Sequence, residues 1–148
     1  MTINLFQTKE YKALMQEHIS KTIAYLFSKN QEFAVACEIE FIDFNPPLPK
    51  SILENFNDIV LFVLSGYTYE TATLEKDYLI FEAGFGEENF GSTVTIPLLA
   101  IKQVIVGEHP IVLNLAKPSP KQERSTQNSM EALLNNPENK RLLKKKKR

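Results

Sequence analysis

Residues 78–115 read YLIFEAGFGEENFGSTVTIPLLAIKQVIVGEHPIVLNL, and the fold turns on how this stretch is parsed. Leu79, Phe81, Ala83 and Phe85 alternate with Ile80, Glu82 and Gly84, the period of two that marks a strand with one buried face. Gly84, Gly86 and Gly91 bracket Glu87-Glu88-Asn89, which predicts a hairpin tip, because glycine accepts positive φ and lets backbones come close. Three features set this glycine cluster apart from a phosphate loop: the strand–turn–strand order, the two glutamates, and the lack of a following Lys-Ser/Thr. Ser92–Ile96 reads as the returning strand, and Pro97-Leu98-Leu99-Ala100 as one proline-led helical turn. Gln103–Val106 and Ile111–Leu115 read as two last short strands, with His109 a turn residue between them.

Upstream, Tyr11, Leu14, Met15, His18, Ile19, Thr22, Ile23, Leu26 and Phe27 recur every three or four residues. This predicts an amphipathic helix over 8–29, capped by Thr8 and stopped at Asn30. Its stripe must be buried against a sheet or a second subunit. His18 has no second His or Cys spaced to join it as a metal ligand, so it reads as a packed or rim histidine. Phe33, Val35, Cys37, Ile39 and Phe41 share one face of a strand whose other face carries Ala34, Ala36, Glu38 and Glu40. Cys37 on that apolar face reads as an inert core thiol. Asn45-Pro46-Pro47-Leu48-Pro49 ends the strand, and Pro49 opens a short helix through Phe56. The unbroken apolar run Ile59–Leu64 reads as a central strand covered on both faces. Ser65-Gly66 marks a bend, after which Tyr67, Tyr69, Thr71 and Thr73 read as one face of a further strand.

The composition changes after Lys117. Residues 118–148 hold nine Lys/Arg against three Glu, leaving eight basic and fifteen acidic side chains on residues 1–117. The expected organisation is a domain at 1–117, with the helix at 8–29 and a β domain at 33–115, followed by a flexible linker and basic tail at 118–148. An acidic body repels phosphate backbones, so nucleic acid is not an expected partner of the folded surface. One cysteine permits no intrachain disulfide and points to a reducing compartment. No apolar run approaches the length of a bilayer span, so the expectation is a cytoplasmic, soluble protein.

Metal-binding, nucleotide-binding and nucleophile motifs are missing from the sequence, so no catalytic residue, metal or cofactor is expected. Glycine-flanked strands beside Phe85 and Phe90, with Tyr67 and Tyr69 near them, suggest instead an apolar groove for an extended peptide.

Three segments carry a resemblance. Ile59-Val60-Leu61, Leu79-Ile80-Phe81-Glu82-Ala83-Gly84-Phe85-Gly86 and Val94-Thr95-Ile96-Pro97-Leu98-Leu99-Ala100-Ile101 come in the order and spacing of the stringent starvation protein B (SspB) family. Members of that family are adaptors that deliver tagged proteins to the ClpXP protease. The resemblance is clear over about 70 residues and extends elsewhere only by layout. It implies an α+β, mainly β fold, with the helix packed on an Sm-like β barrel or sandwich, dimeric through its helical side. It implies no catalysis, and a groove for the degradation tag of proteins from stalled translation. By motif match Ala83 and Phe85 fall on the groove strand and Ser65 beside it; Tyr67 and Tyr69 are added from the pattern alone. Lys140, Arg141, Leu142, Leu143 and Lys144 resemble the family's docking peptide for the ClpX unfoldase. A flexible tether of about 24 residues would reach roughly 25–30 Å and raise the local concentration of cargo at the protease. Where the family turn has a second glycine, this chain has Glu87 and a longer tip. Two other readings stand beside this one: an Sm-like RNA-binding module, and an assembly protein that pairs through its helix stripe.

Overall fold

A computed structural model describes residues 4–118; the basic tail, with Lys140, Arg141, Leu142, Leu143 and Lys144, lies outside the described residues. The first long element, α1 (Lys9–Ser28), starts where the Thr8 hydroxyl accepts the Tyr11 N–H at 3.2 Å. It ends at Asn30, whose φ of 53° turns the chain off the helix axis. Its buried stripe is Met15, Ile19, Ile23 and Leu26, each contributing roughly 1.5–3 kcal/mol by leaving water. Leu14 and His18 fall outside that stripe and are exposed. The stripe packs on a 3-10 turn at Leu98–Ala100, the helical turn expected after Pro97. These four residues are thus covered by the chain's own body, while Leu14 and Tyr25 of the same helix stay exposed.

The strands form two antiparallel four-stranded sheets. The first has the order β3 (Ile59–Leu64), β1 (Phe33–Glu38), β7 (Ile101–Val106) and β8 (His109–Leu113). The second runs β2 (Asp43–Asn45), β6 (Phe90–Pro97), β5 (Tyr78–Phe85) and β4 (Thr73–Leu74). Inward side chains of both sheets and of α1 join one core, in which Phe62 of one sheet meets Phe81 of the other edge-on at 5.5 Å. The architecture is α+β and mostly strand; among the described residues the two sheets do not close into one hydrogen-bonded barrel.

Four sequence expectations need correction. The strand from Phe33 stops at Glu38, where a 3-10 turn (Ile39–Phe41) swings the chain into the other sheet as β2. The apolar run Ile59–Leu64 is an edge strand, with Phe62 and Leu64 inward and Ile59, Leu61 and Val63 exposed. Tyr67–Thr71 is helical: Gly66, at φ +56°, turns the chain into α3 (Gly66–Thr71). Tyr69 then folds onto Phe27 and Phe33 at 5.8 and 6.4 Å, a tertiary fit that overrides the β-propensity of Tyr and Thr. His109 opens β8, opposite Val106, and the turn is Gly107-Glu108 alone.

The end of the body is tied down by side-chain contacts, most of them made by Asn114. The buried amide of Asn114 donates to the Leu99, Ile101 and Ala116 carbonyls at 3.0, 2.9 and 3.3 Å, and its oxygen accepts the Ala116 N–H at 2.8 Å. Beside it Lys102 donates to the Ala116 carbonyl and stands 3.1 Å from Glu38, which also meets Lys117 at 3.4 Å. Glu38 Oε1 is buried and held by charge rather than by a well-angled hydrogen bond. Burial lowers the Lys102 pKa from its ordinary value, an effect that pairing with Glu38 opposes.

Candidate functional site

The hairpin of β5 and β6 creates the site. Its tip, Gly86–Asn89, sets the register so that Phe85 faces Phe90 and Gly84 faces Gly91. Gly86 and Asn89 take positive φ, 75° and 55°, to close the tip. Of these two glycines side by side on the outer face, Gly84 is covered by the Asn89 side chain and Gly91 leaves the floor open. A Cβ on Gly91 would meet nothing within 4 Å, whereas one on Gly84 would fall 1.8 Å from Asn89 Oδ1.

Over this floor lies a groove of about 530 Å³, walled by Tyr67 and Thr68 of α3 on one side and Asn45 and Pro46 on the other. Glu82 and Thr93 pair across its base, with Asn45 next to Thr93 in β2. The lining is more polar than the apolar groove expected. The Tyr67 hydroxyl donates to Glu82 Oε1 at 2.6 Å, and this carboxylate pushes the phenol pKa up. Among the described residues lining the groove there is no Lys or Arg, so nothing there favours a phosphate backbone.

One edge of the groove is unpaired strand. β4 covers β5 only at Leu79 and Ile80, and at Glu82 the backbone N–H is taken instead by Thr71 Oγ1 at 3.0 Å. Two residues on, the Gly84 backbone points the same way by the alternation of a strand. Among the described residues no strand lies beside it. A second extended chain can therefore hydrogen-bond along this edge while its side chains sample the groove.

Of the expected site residues, Tyr67 and Ala83 line the groove. Ala83 is half-buried and also touches the core. Phe85 belongs to an aromatic cluster under the hairpin, with Phe44, Phe56 and Phe62 at 5.8, 6.2 and 6.4 Å. Tyr69 is turned inward, and Ser65 precedes α3, exposed and without a capping hydrogen bond. These three are corrected out of the lining. Sequence reasoning missed Asn45, Thr68, Asn89, Gly91 and Thr93. The signal for Gly91 was present, because a four-residue tip forces it opposite Gly84.

Elsewhere, burial pushes the Cys37 thiol far above its ordinary value, so it holds its proton and is no nucleophile. Among the described residues no group of three His, Cys, Asp or Glu side chains is placed to hold a metal, and no helix is long and apolar enough to cross a membrane. No family model and no curated protein matches the sequence, so the meaning of the groove rests on its geometry.

Proposed function

We propose that this protein is a non-enzymatic adaptor of the SspB type, with an Sm-like arrangement of its two sheets. It binds the degradation tag of proteins from stalled translation as an extended segment along β5. It hands them to the ClpXP protease, docking on ClpX through Lys140–Lys144. The carrying observation is the strand edge at Gly84, beside which no strand lies among the described residues, next to a groove whose floor is open at Gly91. Main-chain hydrogen bonds along that edge supply affinity that is indifferent to most side chains, and the walls at Tyr67 and Asn45 supply selection. The adaptor acts as a homodimer in the cytoplasm, where two docking tails add avidity. What supports this reading is the coincidence of the open edge with the strand that carries the family-like residues Ala83 to Gly86.

Fluorescence anisotropy with a labelled tag peptide tests it. The wild type binds saturably, and Gly91→Leu, whose Cβ would stand in open space on the groove floor, weakens binding at least tenfold while the melting temperature stays within a few degrees. Ala83→Arg is a poorer probe, because Ala83 also touches the core. Removal of residues 118–148 abolishes delivery to the protease and leaves peptide affinity intact. A wild-type protein with no saturable peptide binding ends the proposal.

A further inference from the structure

Among the described residues lining the groove, Glu82 carries the only formal charge. It stands exposed on the outer face of β5, in a polar row with Thr93 and Asn45 on the neighbouring strands. Its Oε1 accepts the Tyr67 hydroxyl, so the carboxylate and the phenol ring are held side by side. That bond fixes one end of the tyrosine and leaves most of the ring in solvent, 66% exposed. The two groups agree in what they attract. A carboxylate draws a cation by its charge, and an aromatic face draws one by its quadrupole. Among the described residues no lysine or arginine pairs with Glu82. The wider surface has the same sign: residues 1–117 carry fifteen acidic side chains against eight basic ones, a field that draws cationic segments in and turns anionic ones away.

We infer that the groove selects an extended segment carrying a lysine or arginine, whose cationic head meets Glu82 and whose stem lies along Tyr67. This rests on the peptide reading and adds to it the chemistry of the side chain that is read. Reach argues for a long side chain. Thr71 occupies the Glu82 N–H, so an added strand pairs with β5 from Gly84 onward. Gly84 lies two residues from Glu82, a rise of roughly 6.6 Å along the strand. A residue beside Gly84, with its side chain on the outer face, is then a diagonal neighbour of Glu82. That spacing of about 7–8 Å is spanned by long side chains and not by alanine or serine. The open floor at Gly91 leaves room for the stem. Arginine adds a planar fork that can donate to Glu82 and to the Thr93 hydroxyl beside it. An aspartate or glutamate in the same place meets Glu82 with no lysine or arginine among the described lining residues to receive it. A single exposed ion pair is weak, so the groove ranks peptides by charge without rejecting all but one.

Fluorescence anisotropy on the full-length protein tests it, using the labelled tag peptide with Lys, Ala or Glu placed in turn at each position. At one position, or at two that share a face of the bound strand, the wild type binds the Lys peptide about tenfold more tightly than the Glu peptide, with Ala between them. Glu82→Gln brings the Lys and Glu peptides within about twofold of each other, and Glu82→Lys reverses their order. Both variants keep the wild-type melt, since Glu82 is exposed, and bind the Ala peptide as the wild type does. That separates a lost charge from a lost groove. Glu88→Gln, on the exposed hairpin tip and outside the lining, keeps the wild-type ranking. Saturable binding in which Glu peptides match or exceed Lys peptides at every position overturns this inference and leaves the peptide reading standing. A Lys preference that survives Glu82→Lys does the same. Failure of every peptide to bind saturably overturns both.

Discussion

The outer faces of the two sheets are built from the same kind of strand and meet water in opposite ways. On the β3-β1-β7-β8 sheet the exposed positions are Ile59, Leu61, Val63 and Leu113, large side chains standing on backbone that is hydrogen-bonded except at the two edge strands. On the other sheet the corresponding ground is Gly84, Gly91, Glu82 and Thr93, with bare backbone at Gly91 and, among the described residues, one open strand edge. Apolar relief gains by excluding water over a wide area, which suits a lasting partner of fixed shape. Bare backbone gains from main-chain hydrogen bonds, which any extended chain can make, and holds it with modest net energy per bond. The second face suits a transient polymer, and the first offers such a chain no main-chain partner except at its edges.

The strongest way to break this division is to cross the two substitutions. Leu61→Lys is expected to leave the tag-peptide Kd within about twofold, whereas Gly91→Leu weakens peptide binding by at least tenfold, a change of about 1.4 kcal/mol or more. A Leu61→Lys variant that loses the peptide would merge the faces into one site.

The two tyrosines of α3 sharpen the contrast at residue level. Tyr69→Ala removes a ring packed on Phe27 and Phe33 and is expected to cost about 3 kcal/mol in urea unfolding. Tyr67, on the same helix, is exposed over the groove. Tyr67→Ala is expected to lower peptide affinity several-fold in anisotropy and to shift stability by no more than about 0.5 kcal/mol.

A smaller effect follows from Cys37. Its folded pKa lies above the ordinary value of 9.0, so its contribution is complete below pH 9 and is lost above it, as the unfolded chain sheds a proton that the folded chain keeps. The slope is about 1.4 kcal/mol per pH unit. Lys102 acts with the opposite sign, since its lowered pKa makes stability rise as pH climbs toward 10.5. The clean measurement is therefore the difference between wild type and Cys37→Ala in urea melts from pH 8 to 10.5; equal slopes would show that Cys37 ionises in the fold. Smallest of all is the salt effect: peptide affinity is expected to change less than threefold between 50 and 200 mM salt, where phosphate-backbone binding would fall steeply.

What could be read from the chain follows from where its physics is local. The helix was legible because Thr8, the three-and-four spacing and Asn30 are all within α1 or next to it. The β5–β6 hairpin was legible because its glycines fix the tip without outside help. The edge position of β3 was not, because an apolar run reports that both faces are greasy and not whether the same chain covers them. The helix at Gly66–Thr71 was hidden for a related reason: Tyr and Thr favour strands locally, and only Phe27 and Phe33, far away in sequence, draw Tyr69 inward. The groove was legible as a strand and a turn, but three of its five expected residues point elsewhere. Side chains that alternate along a strand do not continue to alternate once the chain becomes a helix.

Asn114 gives the molecule a mechanical property. Its amide holds Leu99, Ile101 and Ala116 at a single knot, so tension applied to the chain beyond Pro118 reaches this knot before it reaches the edge of β8. The load is spread over several hydrogen bonds stressed together, like a rope made fast on a cleat, instead of peeling one strand bond by bond.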